Sequence, residues 1–433
     1  MRTMIGLLWV AAFAISFTGV ALAAPVPAEL TEEQLKEKAL KINKETKTVE
    51  EADARLKELI KDKAGTAKLV KVAMKLQKAS KESEKPFRFY AGLVLAKAAQ
   101  SVKDHDAADL FYKFCTETAL DDLQSSELIM RAVENQLDYL VKRKKHDEIV
   151  ELCQKVLDYK GDESLSRFKL VYVTEQLLVA TARKGDVKSA VEKADELVKR
   201  FDGNWYFIQL KARIQREGDK YDEAIKTYEE SIEALDSNED LKKDEKARFT
   251  RNMRYIISGI HIEAKQIDKG TDILRTLVKE NPDVATYKND LGFVMADNDK
   301  NLDESEKLIR DAIAQDLKER EKLADEGKLD KELAKKPNSA YIDSLGWVLY
   351  KKKDYVEALK NLKESIGTDD EESNHIEIWD HVGDCLLAMG KKKEALETFQ
   401  KALKMEDETK KDGERRKKVT EKIKKLKAET SEK

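Results

Sequence analysis

Apolar residues recur at helical spacing along most of this chain, and the spacing is clearest between residues 340 and 403. Two successive copies of one pattern lie there. In each copy an alanine follows a glycine by twelve residues, as in Gly346 with Ala358 and Gly383 with Ala395. Self-similarity at this period is typical of a repeated unit of two helices. The glycines predict a close contact between those helices, because a residue without a side chain leaves room for its neighbour.

Fainter copies of the same pattern fill most of the remaining chain. Small residues followed four positions later by bulky ones predict degenerate helix pairs over 87–236 and further pairs over 249–316. A charged helical insertion is predicted at 317–336, and the two strong repeats occupy 337–406. The chain is thus predicted to be all-α, an α-solenoid of about eight helix pairs with capping helices. The flanking segments are a linker with capping helices, 24–86, and a basic capping helix with a tail, 407–433.

The overall charge narrows the choice of partner. The 433 residues include 82 basic and 85 acidic side chains, which leave a formal net charge of -3. Such a balance gives no reason to expect nucleic acid or an anionic membrane as a partner. Because charged residues make up 39% of the chain, with only 5 prolines and 17 glycines, we expect long helices with wide solvated faces.

The N-terminus departs from this composition. Arg2 precedes an apolar run from Ile5 to Val20, and the small-residue triplet Ala21-Leu22-Ala23 follows. This order is typical of a secretory signal peptide, so residues 1–23 are assigned to it, with cleavage after Ala23 and a periplasmic or secreted product. The alternative is an uncleaved anchor, which would be the protein's one contact with a membrane.

Three cysteines, Cys115, Cys153 and Cys385, occupy apolar positions of predicted helices. An odd number leaves at least one free thiol. Two interpretations stay open at this point. The cysteines are small buried hydrophobes, or Cys115 and Cys153 form a bridge between neighbouring repeats.

Residues that could perform catalysis or bind a metal are sparse. His105 and His146 lie at the turn between two helices, where packing explains them. His375 and His381 are six residues apart, so a helix would place them on different faces. We found no zinc-protease, phosphate-loop or nucleophile-elbow motif in the sequence. We therefore predict a protein that is not an enzyme and that uses no cofactor or metal. The alternative is an unrecognised cell-envelope enzyme or assembly factor that uses the array as a substrate-binding platform.

The two strong copies resemble the tetratricopeptide repeat. The segments 289–292 and 343–350, which read Asn-Asp-Leu-Gly and Asp-Ser-Leu-Gly-Trp-Val-Leu-Tyr, are similar to a subset of exported bacterial proteins with these repeats. The resemblance implies a right-handed solenoid and a non-catalytic scaffold or adaptor outside the cytoplasm. It also implies that the partner is another protein, of which a peptide or helix binds in the concave groove.

First helices line the concave side of such arrays. If Leu345 and Leu349 face the core, their helix turns a different set of residues toward the groove. Exposed aromatic residues there would be binding hot spots, while the acidic residues would repel a peptide carboxylate. The alternative is that Trp347 and Phe293 pack against adjacent repeats or the insertion. The predicted partner-binding residues are Asn289, Phe293, Asp343, Trp347, Tyr350, Asp380, Asp384 and Leu387.

Overall fold

A computed structural model describes residues 30–80, 86–160, 165–366, 375–405 and 410–431 of the chain. All regular secondary structure in these ranges is helical, as the all-α prediction requires. The predicted signal peptide and its cleavage site lie outside the described residues. Within the ranges above, none of the helices combines the length and the apolar character needed to cross a membrane.

The chain divides into two compact units, 1–136 and 137–433. In the first unit, helices α1 and α2 begin at Thr31 and Thr48, whose side chains accept the free N–H groups of the first turn. Asn43 at the end of α1 bonds to the backbone on both sides of residue 87, which fixes the chain's entry into α4. A π-helical turn, Thr118–Leu123, continues α5. The helices are α1 Glu32–Glu45, α2 Val49–Leu59, α3 Lys63–Ala79, α4 Phe89–Ser101 and α5 His105–Glu117.

Helix α6, Ser126–Lys142, crosses from the first unit into the second. From α8 onward the second unit alternates a first helix with a second helix that packs back against it. The first helices are α8 Arg167–Arg183, α10 Trp205–Glu217, α12 Lys243–Glu263, α14 Ala285–Asp297, α17 Ser339–Lys351 and α19 Ile376–Ala388. Helix α7, His146–Leu157, precedes this alternation. The second helices are α9 Val187–Arg200, α11 Tyr221–Asp236, α13 Ile267–Glu280, α15 Leu302–Asp325, α18 Tyr355–Ile366 and α20 Lys392–Ala402.

Two helices stand apart from this alternation. The short helix α16, Lys331–Ala334, follows the extended end of α15 within the charged segment. The long basic helix α21, Lys410–Ser431, follows the last pair. Its apolar residues complete the core of that pair.

The turns inside the helix pairs share one backbone conformation. A residue at the same place in successive turns has a positive φ, which lets the chain reverse within a few residues. Lysine occupies this place as readily as glycine or aspartate. The residues are Lys103, Lys144, Gly185, Asp219, Lys265, Asp299, Lys353 and Gly390.

The glycines of the strong repeats lie where two helices touch. A Cβ built on Gly346 would come within 2.6 Å of Leu362 Cγ, and one on Gly383 would overlap the ring of Phe399. The predicted role of these two glycines is confirmed. Their neighbours form a continuous core with Val348 and Leu386, both almost fully buried.

The three cysteines are buried and unpaired. Burial raises the pKa of the Cys153 thiol to about 12 and that of Cys385 to about 11. The bridge between Cys115 and Cys153 that the sequence left open is therefore not formed. The interpretation of the cysteines as small buried hydrophobes is the correct one.

Candidate partner-binding face

Three successive first helices, α14, α17 and α19, bring aromatic rings together. The indole of Trp347 stacks on the imidazole of His381, with ring centroids 4.1 Å apart and planes 16° from parallel. Tyr350 stacks beside the same indole at 4.8 Å. Phe293 approaches the other side of His381 at 6.2 Å. These contacts link residues almost ninety positions apart, so the inner sides of the three helices converge on one place.

This packing corrects the predicted exposure of Trp347. The side chain is only 8% exposed, and its Nε1–H donates to Asp297 Oδ1 at 3.1 Å. The alternative, in which Trp347 packs against an adjacent repeat, describes its position. His381 is the reason, since it comes from the next first helix and covers the indole. Phe293, Tyr350 and Leu387 are half-buried.

Asp343 and His381 form a buried pair beneath the rings. Both side chains are almost fully enclosed, and His381 Nδ1 lies 2.9 Å from Asp343 Oδ2. Burial alone would lower the pKa of His381, but the Asp343 carboxylate outweighs that effect and raises it. Arg415, at 3.4 Å from His381 Nε2, opposes the rise. Asp343 is thus part of the internal structure of the face.

Asp380 and Asp384 are occupied by the chain's own C-terminal helix. Lys422 Nζ lies 2.7 Å from a carboxylate oxygen of each. Arg415 donates to Asp380 at 3.2 Å and also pairs with Glu377. The Asp380 side chain is 3% exposed. The sequence predicted these two aspartates to meet a partner, and it missed that α21 reaches them.

The start of α21 reaches carboxylates much earlier in the chain. Lys410 pairs with Asp219, in the turn between α10 and α11. Lys411 Nζ lies 3.7 Å from Glu263 Oε1 at the end of α12, and that carboxylate also takes a bidentate bond from Arg216. One helix therefore contacts the turn after α10, the end of α12 and the inner side chains of α19. We call the acidic residues along this path the carboxylate row: Asp219, Glu263, Asp290, Asp343, Glu377, Asp380 and Asp384.

Asp290, in the middle of the row, is half-buried. It accepts a hydrogen bond from the Tyr255 hydroxyl and another, 3.2 Å long, from Asn289 Nδ2. Burial raises the pKa of Asp290, and the attraction of Lys411 opposes the rise. Asn289 is 6% exposed, and its Oδ1 has no hydrogen-bond partner among the described residues. Within the described part of the chain, Asn289 thus carries an unfilled acceptor beside a half-buried acid.

Apolar contacts hold α21 in place. Val419, Ile423 and Leu426 are buried in the core of the last repeat, together with Phe399 and Ala402. Arg416 donates to the backbone carbonyl of Leu403 at 2.6 Å, which satisfies a free acceptor at the end of α20. The predicted cap is therefore also the helix that reaches along the carboxylate row.

The two C-terminal histidines have structural contacts. His375 caps the start of α19, where its Nδ1 accepts from the backbone N–H of Glu377, and its Nε2 lies 3.2 Å from Asp412. His381 stacks under Trp347 as described above. Across the described ranges, no group of three or more His, Cys, Asp or Glu side chains is arranged to hold a metal ion.

A model of the tetratricopeptide repeat family matches residues 376–409. Among solved structures, the chain is similar to MamA from Desulfovibrio magneticus RS-1, with 14% identity over 45% of this chain and 92% of that one, and a TM-score of 0.32. It is also similar to a tetratricopeptide repeat protein from Parabacteroides merdae ATCC 43184, with 15% identity over 58% of this chain and 98% of that one, and a TM-score of 0.34. Its similarity to the Cut9–Hcn1 structure has 11% identity over 82% of this chain and 62% of that one, and a TM-score of 0.38. No curated protein sequence matches the chain.

Proposed function

Residues 376–409 match the tetratricopeptide repeat, a class of repeat that in general binds other proteins. We propose that the chain is a non-catalytic adaptor that acts outside the cytoplasm. Its binding surface is the accessible end of the carboxylate row, around Asp219, Glu263 and Asp290 in the second unit. The ligand is a helix or peptide of a partner protein. Stacked helix pairs create extended surfaces of this kind, which suit a long ligand better than a small molecule.

One observation carries this proposal. The carboxylate row already holds a helix, because α21 forms ion pairs with Asp219 in the turn after α10, with Glu263 at the end of α12, and with Asp380 and Asp384 of α19. A surface that accepts one helix has the length and the charge to accept another. Its many carboxylates also disfavour anionic ligands, since like charges brought together cost affinity.

A charge reversal in the row tests the binding surface. Asp219→Lys suits the local backbone, because Lys265 and Lys353 hold the same positive-φ place in other turns. The matched control is Glu229→Lys on the exposed side of α11. We expect wild type and the control to co-purify one partner in stoichiometric amount from the native host, and Asp219→Lys to lose it. Equal recovery with all three chains would refute the proposed surface.

The proposed location rests on the Ile5–Val20 run and the Ala21-Leu22-Ala23 triplet. Mass spectrometry of the N-terminus, on protein purified from the native host, tests it. We expect a mature chain that begins at Ala24. An intact Met1 on soluble protein inside the cell would contradict the export of the chain.

A further inference from the structure

The contact between α21 and the carboxylate row weakens from one end to the other. Near α19 it is largely buried, with Lys422 Nζ at 2.7 Å from both Asp380 and Asp384. Near α10 and α12 it consists of two lysines, Lys410 and Lys411, whose side chains are 65% and 66% exposed. Exposed ion pairs contribute little to stability, because water already solvates both charges.

The weakly held end has unused capacity for a cation and for a hydrogen-bond donor. Asp219 is half exposed, and Asp290 is half-buried, with hydrogen bonds from Tyr255 and Asn289. The buried Oδ1 of Asn289 has no partner among the described residues. A buried acceptor without a donor is costly, and a ligand that donates to it would recover that cost. Lysine and arginine side chains carry donors together with positive charge.

We infer that the stretch of the carboxylate row from Asp219 to Asp290 is a docking surface for a lysine- or arginine-rich helix of another protein, which competes with Lys410 and Lys411. This inference rests on the proposed function and specifies the chemistry of the partner. The chain's own α21 is the template for the competitor. Its basic residues Lys411, Arg415 and Lys422 are four and seven positions apart, so they share one helix face.

The competing helix does not have to displace the whole of α21. Val419, Ile423 and Leu426 anchor the second half of the helix in the core of the last repeat. Only the two exposed lysine contacts near its start are exchanged. The two lysines thus set a minimum number of basic groups for the ligand. A ligand with fewer basic groups than α21 would bind the carboxylates more weakly than the lysines that it displaces.

A fluorescent peptide with the sequence of residues 410–427 provides a basic helical probe. Its binding to the purified full-length chain is measured by fluorescence anisotropy in 50 mM NaCl. Removing the internal competitor with Lys410→Ala/Lys411→Ala should tighten binding about two- to tenfold relative to wild type, the range expected for exposed ion pairs. Asp219→Lys should weaken it, whereas Glu229→Lys should leave it unchanged. Binding should fall at least about fivefold in 500 mM NaCl, because salt screens exposed charges.

Four results would overturn the inference. The peptide could bind all four chains with equal affinity, or fail to bind any of them. A peptide with every basic residue replaced by glutamate could bind as well as the basic one. The Lys410→Ala/Lys411→Ala chain could form a dimer in sedimentation analysis without peptide, which would assign the surface to α21 of a second copy. Loss of the native partner in Asp219→Lys alongside a failed peptide assay would reject only the basic-helix chemistry, and the proposed function would stand.

Discussion

The two halves of α21 differ in their apolar contacts, although both form ion pairs, those of the second half through Lys422. The anchor half, residues 419–426, places Val419, Ile423 and Leu426 in the core of the last repeat. The reaching half, residues 410–416, makes ion pairs with Asp219, Glu263 and Glu377. Burying one aliphatic side chain contributes about 1.5–3 kcal/mol, whereas an exposed ion pair contributes about 0.2–1 kcal/mol. The anchor half therefore determines whether α21 stays packed on the last repeat, and the reaching half determines which acidic residues the helix contacts.

Truncation of Phe399, which shares a core with the anchor half, should cause the largest loss of stability. Phe399 is fully buried and lies against Gly383, and Lys422 Nζ lies 5.2 Å from the centroid of its ring. We expect Phe399→Ala to destabilise the second unit by about 3–5 kcal/mol, because it removes a large side chain and leaves a cavity. Urea denaturation followed by circular dichroism measures the loss. A change below about 1 kcal/mol would show that α21 does not depend on this core.

Truncation of Leu426, in the anchor half itself, should cause the next largest loss of stability. Leu426 is 3% exposed, and Leu426→Ala should cost about 2–3 kcal/mol, toward the lower end of the range for buried leucines because the helix lies at the edge of the array. Limited proteolysis should then cleave α21 before the rest of the second unit. Resistance equal to that of wild type would mean that the ion pairs alone hold the helix, which would reverse the comparison between the halves.

Overpacking beneath the anchor should have a smaller effect. Gly383→Leu forces a side chain against the Phe399 ring, and we expect a loss of about 1–3 kcal/mol. In the Phe399→Ala background the same substitution should cost less, because the leucine can enter the new cavity. Thermal unfolding of the two single variants and the double variant measures this coupling. Additive losses would argue against the contact between Gly383 and Phe399.

These local contacts could be predicted from the sequence, whereas the reach of α21 could not. Gly346 and Gly383 mark their helix contacts through spacing within one repeat, so the pattern alone located them. The ion pair of Lys410 with Asp219 joins residues 191 positions apart. Its formation depends on the rotation from one helix pair to the next, which hydrophobic spacing does not specify.

The aromatic residues show the same limit. The sequence placed Trp347 one turn from the core stripe, but its burial depends on His381 of the following first helix. The sequence does carry a signal of the ion pairs between α19 and α21. Asp380 and Asp384 are four residues apart on a predicted helix, and Arg415 and Lys422 are seven apart on the predicted cap. Matching acidic and basic stripes on adjacent helices favour an ion-pair network.

The buried pair beneath the reaching half should respond to pH. The pKa of His381 is raised in the folded chain, since the attraction of Asp343 outweighs burial. The stabilisation from the protonated ring is therefore fully present below pH 6.5, and it is lost as the pH rises through the raised value. We expect the difference in unfolding free energy between wild type and His381→Gln to be larger at pH 6 than at pH 9. A difference independent of pH would mean that the ring stays neutral throughout.

The reaching half should give the smallest effect on stability. Lys410→Ala/Lys411→Ala removes two exposed ion pairs, so we expect a loss of about 1 kcal/mol or less, and almost none in 500 mM NaCl, where exposed charges are screened. The matched control is Lys417→Ala/Lys418→Ala, which removes two exposed lysines of the same helix and should change stability even less. Circular dichroism melting curves at both salt concentrations make the comparison. A loss of 3 kcal/mol or more at high salt would show that the first turn of α21 is anchored as firmly as its apolar half, and that turn could then no longer act as an exchangeable ligand.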